Sequence, residues 1–180
     1  MSDFRISIDH VIRHEALQHS DGSWLYFSDD PSDPGGATAW GWSLLTIKTL
    51  KITPEELGIP DLSPTSMKMM TRESAEALYR KYFWDAFGYG QLVEQTMANK
   101  LLDTCVNIGR RPHLWAQECC NQLGALITVD GVLGPASYEA LNAVPTLPWL
   151  TLFSKMQADY YRRICAVNPK LRKFLEGNWL

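Results

Sequence analysis

The chain has 180 residues, of which 46% are hydrophobic and 21% are charged, and its net charge is −3 at pH 7. This size and composition are typical of one globular domain, or of a domain with a closely joined subdomain, that buries a substantial core. The net charge excludes a strongly basic nucleic-acid-binding protein, so we predict no nucleic-acid partner. Residues 1–95 carry 8 Lys/Arg against 14 Asp/Glu, whereas residues 96–180 carry 9 against 6. The basic second part would favour encounter with an anionic cell wall or membrane, and an ordinary solvated surface is the alternative interpretation.

Hydrophobic periodicity predicts a mainly α protein with about eight helices. The helices are expected at Phe4–His19, Ser43–Leu50, Thr53–Gly58, from Thr71 to about Gly88, Leu92–Ile108, Pro112–Leu123, Ala136–Ala143 and Trp149–Val167, followed by a short amphipathic tail to Leu180. Several boundaries rest on capping signals, such as the Thr-Pro-Glu-Glu-Leu-Gly segment at 53–58. After the first helix, Asp21-Gly22 is a turn signal and Ser23–Phe27 is aromatic and strand-like, which predicts a small β-hairpin or flap.

Glu15 lies at the end of the apolar face of the first helix. Phe4, Ile8, Val11 and Ile12 share that face at helical spacing. A glutamate on a buried face keeps its proton near neutral pH because desolvation disfavours the charged form, and glycosidic bond cleavage requires such an acid. The alternative is that Glu15 ends the helix in solvent, as isolated glutamates usually do.

An Asp-rich, turn-forming segment follows the strand-like region. It contains Asp29, Asp30 and Asp33 and ends at Thr38. The three aspartates suggest a cation site, but their spacing does not fit an EF-hand loop, and Asx turns explain them as well. His10 and His14 are one helical turn apart without a third ligand, so we predict no metal and no cofactor.

The four cysteines and the N-terminus indicate a cellular compartment. None of Cys105, Cys119, Cys120 and Cys165 forms a Cys-x-x-Cys pair, and three lie in apolar helical stretches, which favours free thiols in a reducing environment. The first residues are interrupted by charges and do not resemble a signal peptide, and no apolar stretch is long enough to span a membrane. We therefore expect a cytoplasmic protein.

Three segments together carry a family resemblance. They are Asp30-Pro31-Ser32-Asp33-Pro34-Gly35-Gly36-Ala37-Thr38 followed by Trp40-Gly41, Glu76–Trp84, and residues 103–142 with Asp103–Gly109 and Asp130-Gly131-Val132-Leu133-Gly134-Pro135. With Glu15 ahead of them, and Phe174–Leu180 at the end, these segments resemble glycoside hydrolase family 108, the phage and bacterial N-acetylmuramidases. The chain departs from the family's usual Glu-Gly-Gly-Tyr. It reads Glu15-Ala16-Leu17, and an insertion of about nine residues, His19–Phe27, leaves open whether Tyr26 or Phe27 replaces the motif tyrosine.

The resemblance implies a lysozyme-like fold and a peptidoglycan hydrolase that cuts the β-1,4 bond between N-acetylmuramic acid and N-acetylglucosamine. It implies Glu15 as the catalytic acid, with Asp33 or Asp30 supporting the transition state or positioning water and Thr38 assisting. It also implies a catalytic region at residues 1–95 and a peptidoglycan-binding helical region at residues 96–180 that packs against it in one compact structural unit. The candidates for substrate binding are the aromatic residues Tyr26, Trp40, Tyr79 and Tyr82. For Trp40, Tyr79 and Tyr82, packing in the core is the alternative.

The implied biological role is that of a bacteriophage endolysin, a monomeric lysozyme that lyses the host. Such a protein stays in the host cytoplasm until release, and the lack of a signal peptide suggests that a holin passes it to the periplasm. The rival hypotheses are a lytic transglycosylase, which forms an anhydro-sugar instead of adding water, and a non-catalytic wall-binding or virion protein. The sequence does not decide between retention and inversion.

Overall fold

The computed structural model describes residues 1–15, 17–18, 24–30 and 35–167. The chain divides into two compact units, one formed by Asp3–Gly88 and the other by Met1–Ser2 with the chain from Tyr89 onward. The described residues are mainly helical with small antiparallel sheets near the N-terminus, which confirms the predicted lysozyme-like fold class. The functional division at residue 95 stays a prediction, because these units are defined by packing alone.

The elements of the first unit alternate short strands and helices. They are α1 (Phe4–Glu15), β1 (Leu17–Gln18), β2 (Trp24–Leu25), β3 (Phe27–Ser28), β4 (Thr38–Ala39), β5 (Trp42–Ser43), α2 (Leu44–Thr49), α3 (Pro54–Leu57), α4 (Pro64–Met67) and α5 (Arg72–Tyr79), with a π-helical continuation at Arg80–Asp85. Strand β1 pairs with β2, and β3, β4 and β5 form a three-stranded antiparallel sheet in that order.

Helix α1 ends earlier than the periodicity predicts. Its start agrees, because an Asp3 side-chain oxygen caps the helix by accepting from the Arg5 backbone N–H at 2.7 Å. Its end is Glu15, not His19, because Leu17 pairs with Leu25 in the β1–β2 hairpin. In a hairpin the backbone N–H and C=O groups bond to a neighbouring strand instead of to the next helical turn. Hydrophobic periodicity within one segment contains no information about that strand.

The capping signals of the short helices are confirmed. Thr53 and Glu56 form a reciprocal capping box around Pro54, and Gly58 ends α3 in the left-handed conformation with φ +69°. Thr71 caps α5 by accepting from the Ser74 backbone N–H at 3.1 Å. The π-helical continuation of α5 was not predicted, since no simple sequence pattern distinguishes it from an α-helix.

The second unit is a packed set of helices. Its elements are a single 3-10 turn at Tyr89–Gln91, α6 (Gln95–Ile108), α7 (Arg111–Gln122), α8 (Pro135–Ala143) and α9 (Thr146–Val167). Trp149 and Phe153 stack at 4.8 Å between centroids, and the Trp149 indole N–H donates to the Ala116 carbonyl at 3.2 Å. Both rings are fully buried and form the centre of this unit's core.

All four cysteines are free and buried. Burial raises the pKa of Cys105 to about 12 and that of Cys120 to about 11, so these thiols stay protonated at neutral pH. Within the described residues, each helix is too short or too polar to cross a membrane. The amphipathic tail predicted up to Leu180 lies outside the described residues.

Candidate active site

Glu15, the predicted acid, is the last residue of α1. The apolar face of the helix is buried as predicted, with Ile8, Val11 and Ile12 each at most 2% exposed. The side chain of Glu15 lies outside the described part of the chain, so its burial and its partners stay predictions. Two residues after Glu15 the chain enters β1, which pairs with β2.

Thr38 lies on β4, the central strand of the three-stranded sheet. It is paired with Ser28 on β3 and Ser43 on β5. Its hydroxyl donates to the Gly36 carbonyl at 3.2 Å, which uses the hydroxyl proton and leaves the oxygen able to accept. A half-buried Thr38 is therefore suited to accept a hydrogen bond from a water or a sugar hydroxyl.

The segment with the predicted aspartates begins where β3 ends. Asp29 and Asp30 follow Ser28 directly, and both are exposed. Asp33, with residues 31–34, lies outside the described residues, so the division of roles between Asp30 and Asp33 stays open. Among the described residues there is no group of three or more His, Cys, Asp or Glu side chains placed to hold a metal ion.

Tyr26 and Trp40 form a stacked pair beside this sheet. Their ring centroids are 4.8 Å apart and their planes differ by 16°. Tyr26 is half-buried, and its hydroxyl donates to the Lys68 carbonyl at 3.1 Å; Trp40 is only 7% exposed. Tyr26 therefore has one ring face covered by Trp40 and its hydroxyl fixed by the Lys68 carbonyl.

The backbone at Trp40 adopts a conformation that is rare for a residue other than glycine. Trp40 and Gly41 form the two-residue turn between β4 and β5, with φ +52° and +82°. Positive φ at both positions is what a type I′ hairpin turn requires, and it costs a non-glycine residue about 1–2 kcal/mol. The Trp40 indole N–H donates to the Met70 carbonyl at 3.0 Å, and its backbone N–H donates to the Tyr26 carbonyl at 2.7 Å. These bonds offset the strain and fix the turn.

Tyr79 and Tyr82 occupy different surroundings. Tyr79 is 1% exposed, and its hydroxyl donates to the Trp40 carbonyl at 3.0 Å. Its ring centroid lies 4.9 Å from that of Trp42, so Tyr79 is a core residue, as the alternative interpretation states. The half-buried Tyr82 donates weakly to the Glu56 carboxylate at 3.4 Å, and a hydrogen bond from Lys81 lowers the pKa of that carboxyl group.

Sequence reasoning did not identify two side chains that contact the elements carrying the predicted site residues. Lys68, the C-cap residue of α4, places its ammonium nitrogen 5.1 Å from the centroid of the Phe27 ring. Arg72 pairs with Asp9 of α1 and, at 2.6 Å, with Glu76 of α5, and so joins the glutamate-bearing helix to its neighbour. The only sequence signal for these contacts is the Arg72/Glu76 spacing of four residues.

The Asp-Gly-x-x-Gly-Pro turn of the second unit is built around Gln117, which is 1% exposed. The Gln117 side-chain oxygen accepts from the backbone N–H groups of Asp130 and Gly131 at 3.0 and 2.8 Å. Its amide nitrogen donates to Asp130 Oδ1, the Val132 carbonyl and Ser137 Oγ. Gly131 has φ +75°, and an added Cβ would lie 3.3 Å from Leu114, so both the conformation and the packing favour glycine.

A buried polar cluster lies in the same unit. The Tyr89 hydroxyl is 2.7 Å from Nε2 of His113 and 2.9 Å from Sγ of Cys105, and Nδ1 of His113 is 3.3 Å from the Gly131 carbonyl. A carbonyl only accepts, so Nδ1 carries the proton and Nε2 accepts. Burial lowers the pKa of His113 to about 4, so the ring is neutral at physiological pH.

The geometry defines a helical protein in which a helix-terminal glutamate is followed by a small antiparallel sheet, the lysozyme-like arrangement. Comparison with known families makes the assignment specific. The family model for glycosyl hydrolase 108 matches residues 8–109, more than half of the chain and a range that includes both Glu15 and Thr38. The chain belongs to glycosyl hydrolase family 108.

A solved structure confirms the fold at low sequence identity. SagA of Brucella abortus matches with a TM-score of 0.67 and 20% identity, over 98% of this chain and 98% of that one. At this identity the likeness concerns the fold alone. The curated proteins provide no match.

Proposed function

We propose that the protein is an N-acetylmuramidase that hydrolyses the β-1,4 bond between N-acetylmuramic acid and N-acetylglucosamine in peptidoglycan. The observation that carries the proposal is the family match over residues 8–109, because it includes the second half of α1 with its terminal Glu15 and the sheet that follows. The resemblance of the Asp30–Thr38 segment to the muramidases of this family supplies the substrate.

In the proposed reaction Glu15 is the general acid. It gives its proton to the glycosidic oxygen as the bond from that oxygen to C1 breaks, and positive charge develops on the sugar ring. A water molecule supplies the hydroxyl group to C1 and returns a proton to a carboxylate. One product therefore has a new reducing end at C1, and the other has a free hydroxyl at the former glycosidic oxygen. Asp33 or Asp30 stabilises the developing charge or positions the water.

Thr38 and Tyr26 have supporting roles in this proposal. The Thr38 hydroxyl donates to Gly36 and so keeps its oxygen free to accept from water or from a sugar hydroxyl. The Tyr26 ring, held by Trp40 and by the Lys68 carbonyl, offers a flat surface for a sugar ring. Trp40 and Tyr79 act beneath that surface, by fixing the turn between β4 and β5.

Product analysis tests the proposed bond and reaction. Purified sacculi are digested, and the soluble fragments are reduced with borohydride and measured by mass spectrometry. Hydrolysis predicts fragments that end in N-acetylmuramic acid and gain two hydrogens on reduction. Fragments with a 1,6-anhydro end would instead identify a lytic transglycosylase, and binding to sacculi without any release would favour the wall-binding protein.

We propose further that the enzyme serves as a phage endolysin, with residues 96–180 contributing to wall binding. In this account it acts as a monomer, accumulates in the host cytoplasm and reaches the periplasm through a holin. Expression in a bacterial host with and without a holin tests the export route. Lysis only in the presence of the holin is expected, and lysis without it, with an intact inner membrane, would contradict the route.

A further inference from the structure

The basic side chains of the first unit differ in whether they have acidic partners. Arg72 pairs with Asp9 and Glu76, Arg80 pairs with Asp85, and Lys81 pairs with Glu56. Lys68 is exposed and has no carboxylate partner among the described residues. It is therefore a cation available to an external anion.

Contacts along its backbone and its aliphatic stem hold Lys68 in place. Its backbone N–H donates to the carbonyls of Thr65 and Ser66 at the end of α4, and its own carbonyl accepts from the Tyr26 hydroxyl. Its ammonium group lies above the Phe27 ring. A cation held in this way loses less conformational freedom on binding an anion than a free surface lysine does.

Lys68 also contacts β3, the strand that pairs with β4 and its Thr38. Phe27 begins β3, two residues after Leu25, and Leu25 pairs with Leu17, which is two residues after Glu15. This path limits the distance between the Cα atoms of Phe27 and Glu15 to about 20 Å. A ligand made of several linked sugars covers such a distance, so one glycan strand can reach both Glu15 and Lys68.

From these observations we propose that Lys68 is a specificity-determining residue that binds a carboxylate carried by the substituent on N-acetylmuramic acid. This inference rests on the proposed muramidase function. The carboxylate has two possible sources: the acidic residues of the stem peptide, or the lactyl group itself where the peptide has been removed. The sequence range Asp3–Gly88 has more acidic than basic residues, so without a local cation it would repel an anionic polymer.

Three substrates separate the sources. Intact sacculi carry peptide carboxylates, amidase-treated glycan strands carry free lactyl carboxylates, and the same strands converted to methylamides carry neither. Lys68→Gln is compared with wild type on each, at low and at high salt. Lys48→Gln is the matched control, because Lys48 is exposed on α2 and its loss changes the charge equally. Lys68→Arg preserves the charge.

The proposal predicts that Lys68→Gln lowers kcat/KM about three- to fivefold on a carboxylate-bearing substrate and leaves the methylamide strands unaffected. The loss should shrink at high salt and be absent in Lys48→Gln and Lys68→Arg. A loss confined to sacculi assigns the stem peptide, and a loss on amidase-treated strands assigns the lactyl group. An equal loss on all three substrates, or no loss on any, overturns the inference while wild-type cleavage preserves the proposed function. A wild type that cuts none of them overturns both.

Discussion

The Tyr79 hydroxyl donates a 3.0 Å hydrogen bond to the carbonyl of Trp40, 39 positions earlier in the chain. Trp40 holds a left-handed backbone conformation, and its ring supports Tyr26. A buried tyrosine of α5 thereby stabilises the turn on which the proposed sugar-binding surface depends. The relationship connects a core residue to function without placing it against the substrate.

Removal of that hydroxyl should destabilise the protein. Tyr79→Phe keeps the ring but removes the hydrogen bond to the buried Trp40 carbonyl, which costs about 1–3 kcal/mol. Urea unfolding followed by tryptophan fluorescence measures the loss. Tyr160→Phe is the control, since the Tyr160 ring contacts Arg111 and Trp115 and Phe retains that ring. Equal stability of Tyr79→Phe and wild type would show that the turn does not need this bond.

Gln117 should be essential to the second unit. Gln117→Ala removes the group that binds both sides of the Asp130–Val132 turn and takes away the acceptor of the Asp130 and part-buried Gly131 backbone N–H groups. We expect a loss of about 3 kcal/mol or more in the free energy of unfolding. The exposed Gln122→Ala on the same helix should change it by less than about 0.5 kcal/mol. Similar denaturation midpoints for the two variants would contradict the role of Gln117.

Stability should fall with acidity because of His113. The unfolded state takes up the proton near pH 6.5, but burial lowers the folded pKa to about 4. Between these values unfolding is coupled to protonation, so stability is full above pH 6.5 and decreases as the pH falls. The loss amounts to about 3 kcal/mol by pH 4.

Urea unfolding at pH 7 and at pH 5 checks this dependence. The variant His113→Asn has no group that titrates there, so its stability should vary less between the two pH values, although its stability at pH 7 is lower because the bond between the Tyr89 hydroxyl and Nε2 is lost. An unchanged pH dependence in His113→Asn would assign the effect to other groups.

Local signals in the sequence were sufficient for most of the helices. The Thr53 capping box, the glycine at position 58 and the apolar face of α1 each act within one turn of the chain, and all three agree with the structure. The early end of α1 depends instead on pairing between Leu17 and Leu25, which periodicity does not encode.

The candidate site was predictable to a smaller extent. Glu15 and Thr38 follow from the order of motifs along the chain, and their elements are now defined. The Tyr79–Trp40 bond, the position of Lys68 over Phe27 and the Gln117 turn all join residues that are distant in sequence. Such contacts arise from tertiary packing, and one sequence contains no signal for them.

Release of soluble muropeptides from purified sacculi by wild type and Glu15→Gln tests the central claim most directly. Glu73→Gln is the matched control, because it removes an exposed carboxylate of the same unit, and circular dichroism verifies that each variant is folded. The account predicts release by wild type and Glu73→Gln and a loss of at least about 100-fold in Glu15→Gln, since general acid catalysis contributes that much. Undiminished release by a folded Glu15→Gln would contradict it and place the catalytic acid elsewhere.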